Sequence, residues 1–315
     1  KEDYPMQTKL TVIYDMTRRC PWNCSICCMG AQPGLDALTG ELPLERKLSL
    51  MDELAQVNQL RDVRVDFSGG EPLTHQQNLE VITRAAQLLG REKVGLSASG
   101  FRIDDAMARR LSTIVSDVEM TMDTPPGQPY RLRPRGYAEA AAAAVPHLRR
   151  YGVETGLQTV LARSNCGKEN LEALYRWLCG NGVDQWSLLA FYPSGRGAAF
   201  PEECLRPEEQ LRAVRFIQRL ARENPSPHKP AVDFHYTMPG HPKHTNECRC
   251  VRRSIGILPD GTVTACFWAV DAATGVMDPK YCLGSLRDST LPEILSGEKA
   301  AYWTSCAHSC ELDAA

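Results

Sequence analysis

The run Met16-Thr17-Arg18-Arg19-Cys20-Pro21-Trp22-Asn23-Cys24-Ser25-Ile26-Cys27-Cys28 decides how the rest of the chain is read. Cys20, Cys24 and Cys27 stand in C-x3-C-x2-C spacing, with Cys28 directly after them. Three thiolates on one short loop can each take one iron of a 4Fe–4S cube and leave the fourth iron open for chemistry. A zinc site normally brings four ligands, most often as paired short hooks, and this hook has three. Immediately upstream, Thr11-Val12-Ile13-Tyr14 reads as a short apolar strand that leads straight into the loop.

Outward from that point the chain alternates strand-like and helix-like stretches. Leu48, Met51, Leu54, Val57 and Leu60 recur at helical spacing over 45–60. Val63-Arg64-Val65-Asp66-Phe67 alternates as a strand and ends in Ser68-Gly69-Gly70-Glu71-Pro72. Further strands are expected at 94–97, 118–122, 153–161 and 185–191, and helices at 76–90, 104–113, 137–151, 168–179 and 207–222. Pro146 should kink its helix or delay its start. About six β–α units with parallel crossovers predict an α/β fold, a partial (β/α)6 barrel. Function is expected at the strand C-termini, where the cysteine loop, Gly69-Gly70-Glu71 and Asp123 all fall. After Arg222, Asn224-Pro225-Ser226-Pro227-His228-Lys229-Pro230 reads as a linker. Residues 1–223 are therefore expected to form the barrel, and 224–315 the linker and a small C-terminal iron–sulfur extension.

Composition narrows the class. A formal charge of −2 gives no polyanion footprint, so nucleic acid is not an expected partner. The opening Lys1-Glu2-Asp3-Tyr4-Pro5 is polar, and no apolar run approaches the ~18 residues that span a bilayer. A cytoplasmic protein without membrane contact is expected. Thirteen cysteines in a reducing compartment are metal ligands or reactive thiols rather than a disulfide framework. Four crowd residues 20–28, six lie from Cys248 to Cys310, and only Cys166, Cys179 and Cys204 occupy the middle. That distribution suggests two metal sites.

The cysteine loop after a first strand, with Gly69-Gly70-Glu71-Pro72 after the second, resembles the radical S-adenosylmethionine (SAM) superfamily over essentially the whole chain. The resemblance implies that the open iron binds the amino and carboxylate groups of the methionine moiety. Gly69 and Gly70 would let the backbone approach that ligand, and Glu71 would offer acceptors to its ammonium. Ser97-Ala98-Ser99-Gly100 stands where the family often has Thr-Asn-Gly, so Ser99 would meet the cofactor. Thr121 replaces a usual serine before Asp123 and would contact ribose or carboxylate. Leu189, Ala190 and Phe191 would line the adenine. The bland reading of each is an ordinary strand-end residue, and Cys28 is expected to be a packed bystander.

At the other end, Cys250, then Gly261-x4-Cys266, then Cys306-x3-Cys310 can supply four thiolates to one closed auxiliary 4Fe–4S cluster. Ile257–Cys266 reads as a hairpin that presents a cysteine at its end. Leu283-Gly284-Ser285-Leu286 and Leu291-Pro292-Glu293-Ile294 resemble the close of a SPASM or twitch extension, the cysteine count favouring the shorter twitch form. A scatter of free thiols and a zinc knuckle are the alternatives. Cys248 and Cys282 are left over. An S–H bond is weaker than a C–H bond, so a thiol can quench a carbon radical, and Cys248 is expected to be that catalytic hydrogen donor. The alternative is a buried, inert cysteine. His235, His241 and His244 would face the barrel mouth, and Asp233, Glu247 and Asp271 would meet a cationic substrate, unless all simply face water.

The chemistry implied by the resemblance is reductive cleavage of SAM and removal of a hydrogen from an unactivated carbon by the 5′-deoxyadenosyl radical. An external electron donor such as flavodoxin or ferredoxin would feed it. The protein's part is to hold that carbon near the radical and keep water away. Only about ten residues precede the first strand, which leaves no room for a leader-binding domain and favours a small-molecule substrate. The favoured reading is an epimerase of a sugar carbon in an aminoglycoside antibiotic, of the neomycin C to neomycin B type. The alternatives are an amino-cyclitol dehydrogenase and a peptide-maturing enzyme. An iron–sulfur carrier or a zinc-binding module would need neither the Gly-Gly-Glu turn nor six β–α units.

Overall fold

A computed structural model of the protein describes residues 9–34, 40–235, 238, 248–269 and 277–305. Alternation builds its centre. In β1 (Lys9–Asp15), Leu10, Val12 and Tyr14 are fully buried, whereas Ile13 and Asp15 face an internal cavity. In β2 (Asp62–Ser68), Val63, Val65 and Phe67 likewise point to the core, and Arg64, Asp66 and Ser68 to the cavity. The strands β3 (Val94–Ala98), β4 (Asp117–Thr121), β5 (Glu154–Leu161) and β6 (Gln185–Ala190) follow in chain order, each parallel to the last.

Helices cover the outer face. They are α1 (Leu44–Asn58), α2 (Gln76–Leu89), α3 (Asp105–Ile114), α4 (Tyr137–Arg150), α5 (Lys168–Asn181) and α6 (Pro207–Glu223). Leu50, Met51, Leu54 and Val57 of α1 are buried at the spacing that lays one stripe on the sheet. The expected α/β barrel is therefore present. Pro146 neither delays nor ends its helix: α4 begins nine residues earlier, at Tyr137, and runs on to Arg150.

Beyond α6 the proline-rich run leads into a seventh parallel strand, β7 (Ala231–Phe234), paired with β6 from Gln185 to Leu188. The chain then appears at the opposite edge. There β8 (Ser254–Ile257) lies parallel to β1, and β9 (Thr262–Thr264) and β10 (Cys282–Ser285) add antiparallel ribbons. The sheet order is β10-β9-β8-β1-β2-β3-β4-β5-β6-β7, so β7 and β10 are its two ends and the barrel is open. Two short helices, α7 (Leu291–Ser296) and α8 (Glu298–Ser305), close the described chain. No helix among the described residues is long and apolar enough to cross a membrane.

Candidate active site

The three cysteines follow β1 on a loop held from three sides. Along β2, the ladder continues past the strand ends: Met16 N donates to Ser68 O (2.9 Å), Gly70 N to Thr17 O (2.7 Å) and Glu71 N to Arg19 O (2.9 Å). This close approach explains the glycines. A Cβ on Gly70 would lie 2.3 Å from Arg19 O, and one on Gly69, whose φ is +125°, would lie 2.7 Å from Thr17 O. From β3, Ser99 Oγ accepts from Trp22 Nε1 (2.8 Å), and the Trp22 ring packs edge-on against Tyr137 of α4. From the loop after β6, Arg196 donates its Nε to Cys24 O (2.9 Å) and its backbone N–H to Cys27 O (3.0 Å).

Cys20, Cys24, Cys27 and Cys28 all line a cavity of about 560 Å³ at the C-terminal ends of the strands. Burial pushes the Cys20 thiol up to about 12 and also raises Cys24 and Cys28. Thiols gathered in a site that resists their ionisation are a poor arrangement alone and a good one for a cationic metal group, which offsets the cost of the thiolates. The residues present thus fit an iron–sulfur cluster.

Of the other expected contacts, Gly69, Gly70, Ser99, Thr121 and Leu189 are on the cavity wall, with Ala190 and Phe191 beside Leu189. Glu71 is different. It is fully buried, its Oε1 accepts from Leu73 N (3.2 Å), and its Oε2 accepts from Ser99 N (2.8 Å) and Ser99 Oγ (2.5 Å). Its carboxylate is a strut between the ends of β2 and β3, its pKa raised by burial against the pull of those donors. Asp123 is also internal, accepting from Val160 N (2.9 Å) and paired with Arg133 Nε (2.6 Å).

Among the cavity residues that the sequence did not single out, two ionisable ones lie beside the cysteine loop. Arg133 lies beside the Cys24 thiol, whose pKa it pulls down, sits 4.9 Å from the Tyr137 ring centroid, and faces the cavity with its charge secured by Asp123. Asp15 lies at the end of β1, 1% exposed. A charged residue just before a strand-end loop was the only available signal for Asp15. For Arg133 there was none beyond its nearness to Asp123.

The auxiliary cysteines also converge. The Cys250 thiol lies against those of both Cys248 and Cys266, a proximity that pushes Cys250 up and holds Cys266 down. Cys282 heads β10, opposite Thr264 in register. Cys248, expected as the hydrogen donor, is placed with Cys250 and is not on the wall of the barrel cavity. Cys306, Cys310, His241, His244, Glu247 and Asp271 lie outside the described residues. His235 does reach the cavity, where it meets Trp268 edge-on, while Asp233 is exposed on β7. Phe267 and Trp268, next after Cys266, complete the wall, so the auxiliary segment borders the same cavity as the first cysteine loop.

Comparison with known proteins places this arrangement. The chain is 26% identical over 301 residues to PqqA peptide cyclase of Granulibacter bethesdensis, covering 94% of this chain and 76% of that protein. Its fold matches that of Streptococcus suis SuiB bound to the precursor peptide SuiA, with a TM-score of 0.73 at 12% identity, over 98% of this chain and 73% of that one. It also matches anSMEcpe with bound AdoMet, with a TM-score of 0.69 at 18% identity, over 96% and 84% of the two chains. The Radical SAM superfamily signature spans residues 14–177, and that of SPASM, an iron–sulfur cluster-binding domain, spans residues 248–311. A match over more than half of the length, on this fold, makes the chain a member of the radical SAM superfamily that carries a SPASM cluster-binding domain.

Proposed function

We propose that this radical SAM enzyme matures a peptide, modifying one of its residues by radical chemistry. The observation that carries this reading is likeness over nearly the whole chain to PqqA peptide cyclase, supported by the fold shared with peptide-bound SuiB. The aminoglycoside epimerase favoured by the sequence gains nothing from these relatives, and the peptide-maturing alternative replaces it.

When bound, the 4Fe–4S cluster and SAM supply hydrogen-atom abstraction from an unactivated carbon. In this proposal Cys20, Cys24 and Cys27 hold three irons, and Gly69 and Gly70 give the ligand room beside the backbone. Ser99, Thr121 and Leu189 form the wall against which it rests. Arg133 presents a guanidinium suited to a carboxylate. Cys250 and Cys266, with Cys306 and Cys310, would hold the auxiliary cluster. Cys248, placed against Cys250, becomes a rival ligand there rather than the hydrogen donor. Residues 1–223 would serve as the main body of the barrel, and 224–315 as linker and auxiliary extension that also adds the edge strands β7 to β10, with an external donor such as flavodoxin or ferredoxin supplying electrons.

The test is anaerobic reconstitution with iron and sulfide, a strong reductant and SAM, followed by incubation with short peptides encoded beside the gene. Release of 5′-deoxyadenosine coupled to a peptide product lighter by two hydrogens is the expected outcome. Nucleoside release with every peptide unchanged in mass, but with solvent deuterium in the product of a parallel incubation of an amino sugar in deuterium oxide, would return the reading to epimerisation.

A further inference from the structure

The cavity runs from the cysteine loop down into the barrel, and below the cysteines its floor carries a row of carboxyl groups that begins with Asp15, the last residue of β1. Strand register sets side chains there on levels. Asp15 pairs with Ser68 across β1 and β2, Phe67 pairs with Leu96, and Ser97 pairs with Glu119. Ser68 and Ser97 each follow one residue later on their strands, so Asp15 and Glu119 face the cavity from one level. Lower down, Arg64 is paired with both Asp66 and Asp117 at 2.8 Å, its single charge answered twice. Glu154 adds another carboxylate to the wall. Five carboxyl groups, those of Asp15, Asp66, Asp117, Glu119 and Glu154, thus line the cavity against the two guanidiniums of Arg64 and Arg133.

An acidic floor alone does not define a ligand, but Asp15 adds a separate sign. Its Oδ1 accepts from Ser68 Oγ at 2.5 Å, while its buried Oδ2 has no hydrogen-bond partner among the described residues. The residue is part of the cavity wall and is 1% exposed. A buried carboxyl oxygen without a donor is costly, and it calls for one entering from the cavity. Glu119 is met directly by a neutral donor, Gln158 Nε2 (3.1 Å), with the Ser187 hydroxyl beside it, and the only cation acting on it among the described residues is Arg64, which Asp66 and Asp117 already engage. Burial raises the pKa of both acids, a cost that a bound cation reverses.

We propose that this floor recognises a protonated amine of the substrate, an ammonium or guanidinium group, with Asp15 and Glu119 as its acceptors. The inference rests on reading the cavity as the substrate site, and it names the chemistry selected there. A basic peptide side chain and an amino sugar both offer that chemistry.

The experiment measures equilibrium binding by anaerobic calorimetry to the reconstituted holoenzyme saturated with SAM. Four probes are used: a capped lysine tripeptide, its Nε-acetylated twin, the amino-sugar neamine, and fully N-acetylated neamine. At least one charged probe should bind about tenfold or more tightly than its acetylated twin. Glu119→Gln and Asp15→Asn should each remove most of that difference. The wild-type comparison decides the matter even if a variant misfolds. Equal binding of both twins in each pair, absence of binding by all four, or variants that keep the full difference would overturn the proposal. Discrimination with neamine alone would uphold the amine site and sink the peptide reading. Peptide binding indifferent to charge, with no discrimination by neamine, would sink the amine site and leave the peptide reading standing.

Discussion

At the scale of single residues, the site depends on side chains that are absent as much as on those present. Gly70 lies against the backbone of Arg19 with no space for a methyl group. Gly70→Ala should therefore push the β2 loop off the cysteine loop and cost about 1–3 kcal/mol, as overpacking typically does. Chemical denaturation and the iron bound after reconstitution would check this, with both expected to fall. Asp15 sets a pH dependence. Burial raises its pKa from 3.8 to about 7, so the folded state holds a proton that the unfolded state has released across that window. The sign follows from linkage: stability is greatest at the acid end and falls as pH rises towards about 7. Asp15→Asn should flatten that fall in the reduced, metal-free protein, and denaturant midpoints across the window would measure it. A variant with the wild-type slope would show that this carboxyl is not the cause.

At the scale of elements, the periodicity of the sequence was sufficient where one face alone is buried. The alternation of β2 and the stripe of α1, apart from Leu60, which lies past the helix and is exposed, were legible because each records its own burial. Elements with a weak or composite signal were not. The strand β7 has four residues, Ala231-Val232-Asp233-Phe234, and follows a proline-rich run, so nothing local marks it as the continuation of a parallel sheet. Its place comes from pairing with β6. Pro146 misled in the other direction. It is exposed within α4, where the neighbouring Ala141, Ala144, Val145 and Leu148 are buried, and that packing carries the helix across the missing N–H. Pro146→Ala should restore the hydrogen bond and raise stability by about 1–3 kcal/mol. Thermal unfolding of the two proteins would reveal the gain, and a lower midpoint in the variant would contradict it.

For the whole molecule, α1 ties the two cysteine regions together. Arg46 donates its Nε to Leu286 O (2.6 Å) and pairs with Glu53 at 2.8 Å, while Glu53 Oε2 accepts from Leu291 N (2.7 Å). From the residues just past α1, Arg61 donates to Val251 O (3.0 Å) and Arg252 O (2.5 Å). Glu53→Ala would take away the carboxylate that pairs with Arg46 and leave the start of α7 without its acceptor, and should cost about 2–4 kcal/mol. Amide exchange should quicken over 282–296 and stay unchanged in β3 to β6, which distinguishes undocking of this segment from global unfolding. What the sequence determined by itself was the chemistry of the loops and the kind of fold. Cysteine spacing, the paired glycines and hydrophobic period are local properties, and each follows from bonding or burial within a few residues. Only the tertiary structure decided which distant groups meet. It turned Glu71 into a strut, brought Arg133 to Cys24, gathered Cys248 with Cys250 and Cys266, and set Asp15 level with Glu119. Those meetings depend on strand register and on which sheet edge a returning segment joins, and both are settled by packing between residues that the chain holds far apart.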